Sequence, residues 1–85
     1  MNTKYHVSYE IRKVNGRTQW LYTKDAETEE TARKDYERIL GKTNVTEARL
    51  IQADHYAADE LVPWCQEAHP NGATSYKILA TYSRI

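Results

Sequence analysis

Tyr5-His6-Val7-Ser8-Tyr9-Glu10-Ile11-Arg12, then Asn15-Gly16, then Arg17-Thr18-Gln19-Trp20-Leu21-Tyr22-Thr23 is the stretch whose reading decides the fold. Apolar and polar residues alternate strictly in the first run, the period of a strand with one covered face. Asn-Gly is the strongest short-range signal for a two-residue type I′ turn, whose two central residues both need positive φ. The second strand is expected over about residues 17–23. A two-residue loop pairs Val14 with Arg17, Ile11 with Trp20 and Tyr9 with Tyr22, and Val7 lies beyond them on the same apolar, aromatic face. Arg12 with Gln19, Glu10 with Leu21 and Ser8 with Thr23 form the other, mostly polar face. A slip of one residue would exchange the two faces.

Downstream of the hairpin, residues 28–40 carry the marks of a helix. Thr28 is placed to cap the first turn, and Glu29 and Glu30 sit where the positive end of the helix dipole favours acids. Ala32, Tyr36, Ile39 and Leu40 form one apolar stripe, and Glu30 with Lys34 is a favourable i,i+4 pair. Gly41 is expected to close the helix in the left-handed conformation. The stripe is expected to cover the aromatic face of the hairpin. Residues 45–53 read as a third strand in which Leu50 and Ile51 face opposite ways, as in a strand contacted on both sides. Residues 75–85 read as a fourth, with Tyr76, Ile78, Ala80 and Tyr82 alternating against Lys77, Leu79, Thr81 and Ser83. Between them, Pro63 is suited to open a short helix to Ala68, residues 56–61 to form a turn or two, and His69-Pro70-Asn71-Gly72 to form a turn.

The expected fold is one α+β domain spanning residues 1–85. It is a small four-stranded mixed or antiparallel sheet, in the order ββαβ(α)β, with one main helix on one face. A crossover through the helix would make the second and third strands parallel.

Length and composition narrow the function. Eighty-five residues build a thin core and leave little room for a deep pocket with a lid. The single cysteine, Cys65, excludes an intramolecular disulfide and fits a reducing compartment. No apolar run approaches the roughly 20 residues of a membrane span. These features imply a cytoplasmic chain, monomeric or paired as a homodimer through its last strand.

Seven Tyr, two Trp and no Phe give every aromatic ring a polar handle, which suits half-buried and interface positions. The net charge is zero, but residues 1–24 carry +4, residues 25–67 carry −6 and residues 68–85 carry +2.

No stretch carries a recognisable catalytic motif. Gly16, Gly41 and Gly72 punctuate turns and form no phosphate-cradling loop, and no serine sits in a nucleophile elbow. Cys65 and His69 share a helical face and with His55 or Asp59 would offer metal ligands, but the set has no defined spacing. The expectation is a non-enzymatic chain with no cofactor and no metal. Arg12, Lys13, Arg17 and Lys24 surround the hairpin and suit nucleic acid, but the neutral balance and the helix expected over the aromatics weigh against it. Residues 54–69 form an acidic, irregular segment bearing Tyr56 and Trp64. Tyr56, Asp59, Glu60 and Trp64 are therefore the expected contacts to a protein partner, one with a basic surface.

In layout, residues 5–22, the acid-capped helix of DAETEETARKDYERILG and the strand NVTEARLIQ resemble small accessory proteins of phages and prophages. That resemblance spans about the first 53 residues and transfers no functional residue. It implies an inhibitor of a bacterial defence complex, of the anti-CRISPR kind, that occupies a nucleic-acid-binding surface.

Overall fold

The structure is a computed structural model that describes residues 1–84. Its first chain reversal departs from the expected two-residue turn. Among the described residues only Gly16 (φ 84°) and Gly72 (φ 91°) take positive φ, so Asn15 does not. The Gly16 N–H donates to the Lys13 carbonyl at 2.9 Å, and the Lys13 N–H donates to Arg17 O at 2.7 Å. This is a three-residue loop, a tight turn closed by a left-handed glycine. The Asn15 side chain accepts from the Arg17 N–H at 3.0 Å instead of adopting the left-handed form itself.

One extra loop residue moves the register by one. Strand β1 (Asn2–Arg12) pairs with β2 (Thr18–Tyr22) as Ser8 with Tyr22, Tyr9 with Leu21, Glu10 with Trp20 and Ile11 with Gln19. The expected pairs of Ile11 with Trp20 and Tyr9 with Tyr22 are therefore wrong, and so is the face given to the aromatics. Directly opposed residues share a face. Leu21 joins Tyr9 on one side, while Trp20 and Tyr22 join Glu10 and Ser8 on the other.

Helix α1 (Glu29–Leu40) begins as expected, with the Thr28 Oγ1 accepting from the Thr31 N–H. Glu30 and Lys34 pair at 3.8 Å, and Glu29 and Arg33 at 3.0 Å. Its end differs from expectation, since Gly41 continues the right-handed turn (φ −76°) and donates to the Arg38 carbonyl. Ala32, Tyr36 and Ile39 are buried against Val7, Val45, Ala48 and Leu50. Tyr9 and Ile11 pack around them from the hairpin, but Trp20 and Tyr22 do not. The helix thus covers the Val7–Tyr9–Ile11 side of β1 and the Ala48–Leu50 side of β3 (Val45–Tyr56).

The sheet is antiparallel throughout, in the order β2-β1-β3-β4, where β4 is Ala73–Ser83. Because β1 lies between them, β2 and β3 run parallel without touching, as a crossover through α1 requires. Leu50 is fully buried while Ile51 faces the other way, but no element among the described residues covers the Ile51 side, so β3 is not contacted on both faces as expected.

Two irregularities adjust the register further. Ile11 opposes Val45 where Glu10 opposes Glu47, leaving Thr46 as an extra residue. Ala80 opposes Leu50 where Ile78 opposes Ile51, leaving Leu79 extra. That bulge splits the alternation expected for β4. Tyr76 and Ile78 lie on the helix-free face, whereas Leu79, Ala80 and Tyr82 pack towards the core. The expected position 85 lies outside the described residues.

Between β3 and β4 come a 3₁₀ turn (Ala58–Glu60) and the short helix α2 (Pro63–Ala68), which opens at Pro63 as expected. Gly72 returns the chain to the sheet. A Cβ there would lie 2.3 Å from the Tyr56 carbonyl oxygen, so both its φ and its closeness to β3 require glycine. Gly72→Ala is expected to cost about 1–3 kcal/mol. Gly41→Ala, whose new Cβ meets only the Arg38 carbonyl at 3.5 Å, is expected to stay within about 0.5 kcal/mol. Urea titration of the two variants beside the parent chain measures both.

Candidate functional site

The face of the sheet opposite α1 has no covering element, and its residues follow from the register. Tyr22, Ser8, Arg49 and Thr81 form one row across the four strands, and Trp20, Glu10, Glu47 and Ser83 the next. On the other side of the first row come His6, Ile51 and Ile78, then Lys4, Ala53 and Tyr76.

Three kinds of contact organise this face. Its centre is the His6 ring, edge-on to Tyr22 at 6.2 Å and to Tyr76 at 6.4 Å between centroids. The outer two rings are 69% and 66% exposed, and Ile78 is 53% exposed. Towards the hairpin, the Arg49 guanidinium lies 5.1 Å over the Trp20 ring and pairs with Glu47 at 3.6 Å. Glu10 accepts from the Thr46 hydroxyl at 2.7 Å. Arg49 and Glu47 thus match their charges within the face, beside the rings of Tyr22 and Tyr76 and the side chains of Ile51 and Ile78.

Below the rings is a shallow hollow of about 480 Å³ lined by His6, Ser8, Tyr22, Asp25, Ile51 and Tyr76. Ser8 is buried at its floor. The His6 Nδ1 is shielded from solvent with no hydrogen-bond partner among the described residues, and Asp25 Oδ1 stands 3.7 Å away.

The four residues expected from sequence lie elsewhere, at the end of the sheet where β3 leaves and β4 returns. Tyr56 ends β3 on the face of Leu50 and Asp54, away from the tyrosine hollow. Asp59 and Glu60 sit in the 3₁₀ turn, and Trp64 in α2 is 73% exposed. The turn and α2 pack chiefly on each other. Glu60 is occupied by the fold: its carboxylate accepts from the Ala57 N–H at 3.0 Å and from the Met1 amino group. Those two bonds, the amino group's first, hold its pKa below the usual carboxylate value.

Cys65 is free and half-buried, and the His69 N–H donates to its carbonyl within the helix. No three His, Cys, Asp or Glu side chains converge to hold a metal among the described residues. No helix among them is long and apolar enough to cross a membrane.

His6, Ile51 and Tyr76 were not singled out from sequence, and Trp20 and Tyr22 were given to the wrong face. Ile51 was read as facing away from Leu50, but towards a covered side and not towards an open one.

The sheet end carrying the segment is fastened by Asp54, which accepts from the Thr3 hydroxyl at 2.7 Å and from the Gln52 amide at 3.1 Å. These bonds, Thr3's first, hold the Asp54 pKa below its usual value. A carboxylate depressed in the folded state contributes stability above its unfolded pKa, near pH 4, and that contribution is lost as pH falls through the folded value. Thr3→Ala is expected to move the Asp54 titration up towards the ordinary carboxylate range, read by carbon-detected NMR.

Comparison with protein-family models, curated proteins and solved structures finds no match to this chain, so the helix-free face is read from its own chemistry.

Proposed function

We propose that this chain is a non-enzymatic protein-binding module that acts by occupying a partner's surface. One observation carries the reading: Tyr22, His6, Ile51, Tyr76 and Ile78 lie side by side on a sheet face that no element covers. Contiguous exposed apolar and aromatic side chains with a polar rim mark interaction surfaces. Tyrosine and tryptophan are the preferred anchors of such surfaces, and charge is depleted at their centres. Exposed Trp64, with Asp59 five residues before it and free of ion pairs among the described residues, offers a second contact at the sheet end. Glu60, already held by Met1, contributes less charge to a partner than its position in the sequence implies.

The most concrete version is a phage-type inhibitor that blocks a bacterial defence complex in the host cytoplasm by steric and electrostatic occupation. It rests on the layout resemblance of the first 53 residues and on the acidic character of the 54–69 segment.

A second reading is a nucleic-acid-binding regulator that uses the basic hairpin. It gains from the register. Trp20, Tyr22 and Tyr76 stand on the uncovered face, where rings can stack bases, instead of under the helix. The internally matched charges of that face favour a protein over a phosphate backbone.

Affinity capture of the tagged chain from a bacterial lysate, with and without nuclease, separates the two. The expected result is a stoichiometric protein that survives nuclease. Tyr22→Ala with Tyr76→Ala should weaken its binding by about 2 kcal/mol or more, roughly thirty-fold, without unfolding the domain. Capture that vanishes with nuclease would transfer the assignment to nucleic acid.

A further inference from the structure

The hairpin end of the molecule gathers positive charge from two separate segments. Arg12 ends β1, Lys13 opens the loop, and Arg84 follows β4. All three line one open cleft of about 440 Å³, together with Thr43 and Asn44 of the link between α1 and β3 and Thr46 of β3. No acidic side chain lines it, and none of the three cations forms an ion pair with another described residue. Of the nearest acids in sequence, Glu47 pairs with Arg49, and Glu10 accepts from the hydroxyl of Thr46 at the edge of the cleft.

The cleft is held in shape by the backbone. The Arg12 N–H donates to the Asn44 carbonyl at 2.8 Å, and the Arg84 N–H to the Thr46 carbonyl at 2.8 Å. The Arg84 side chain is itself positioned. Its Nη1 donates to the Thr43 carbonyl at 2.6 Å and its Nε to the Tyr82 hydroxyl at 3.1 Å, which leaves Nη2 free. Like charges around one cleft repel one another, so the fold tolerates here what an anion would relieve. Three cations exceed what one carboxylate can balance. A phosphate carries more than one charge, and its oxygens match guanidinium donors set in a fixed fork.

We propose that this cleft binds a phosphate group, either as a free small phosphate or as one unit of a nucleic-acid strand, with Arg12, Lys13 and Arg84 as its cationic contacts. The site is separate from the tyrosine face and does not depend on which macromolecule occupies that face.

The test uses the full chain, isotopically labelled, titrated with inorganic phosphate and separately with a single-stranded oligonucleotide of about fifteen residues. Sodium chloride at matched ionic strength is the control. Saturable amide shifts confined to residues 12–13, 43–46 and 84, absent with chloride, are expected. Arg12→Gln with Lys13→Gln, whose side chains make no hydrogen bond or ion pair among the described residues, should weaken binding about ten-fold or more while the remaining spectrum stays in place. Arg33→Gln with Lys34→Gln on α1 should not weaken it.

Equal affinity for phosphate and oligonucleotide assigns a small phosphate ligand. Much tighter oligonucleotide binding, with log affinity falling against log salt by about 0.7 per contacted phosphate, assigns a strand. Shifts reproduced by chloride, or affinity unchanged in the Arg12–Lys13 variant, would overturn the proposal.

Discussion

The structure depends on a single left-handed residue at the tip of its first hairpin. Gly16 takes positive φ and Asn15 does not, so the loop holds three residues and β2 sits one position away from where a two-residue turn would put it. Side chains on a strand alternate with period two, so that one position exchanges every face of β2. Leu21 is turned inward beside Tyr9, and Trp20 and Tyr22 are turned out. Arg49 then finds the Trp20 ring, and His6 finds Tyr22. The outward aromatic surface is a consequence of the turn.

This explains which parts of the fold were legible in the sequence. The elements were: the Thr28 cap, the Ala32–Tyr36–Ile39 stripe, the opposed Leu50 and Ile51, and Pro63 at the start of α2 all carry local signals. Faces were not, because they depend on odd or even counts that local signals leave open. Asn-Gly serves a two-residue turn with two left-handed residues and also a three-residue loop with one. The extra residues Thr46 and Leu79 belong to runs with ordinary strand composition, and nothing in their neighbours announces a bulge. The candidate site suffered for the same reason. Its tyrosines were visible as tyrosines, but their meeting around His6 required a register across four strands. Residues 54–69 stood out by composition alone. Their acids are partly consumed by Met1, Thr3 and Gln52, contacts between positions more than fifty residues apart in the first two cases.

Geometry also accounts for how much surface remains open. A twelve-residue helix is about 18 Å long, whereas a twelve-residue strand extends about 40 Å. One helix can therefore cover only about half the length of one face of this sheet, and the core it makes is small. Beyond its reach the sheet is polar on the helix side, with Thr3, Gln52 and Asp54 bonded to one another. The opposite face keeps rings at Trp20, Tyr22 and Tyr76. With no phenylalanine in the chain, those rings each carry a donor for water or a partner. Each ring thus presents apolar area without leaving a wholly apolar patch.

The zero net charge conceals a second asymmetry. The molecule extends 48 Å along its longest axis. Arg12, Lys13 and Arg84 cluster where β1 and β4 end and β3 begins, while Asp54, Asp59, Glu60 and Glu67 belong to the opposite end. Opposite charges at that separation are screened from one another at physiological salt, where the Debye length is about 8 Å. Each end therefore acts on its surroundings with its own sign, and the neutral sum is a poor guide to what either attracts. An argument from net charge against phosphate applies to the molecule as a whole and not to its hairpin end. The tyrosine face lies between the two ends, and its exposed area is apolar and aromatic more than charged.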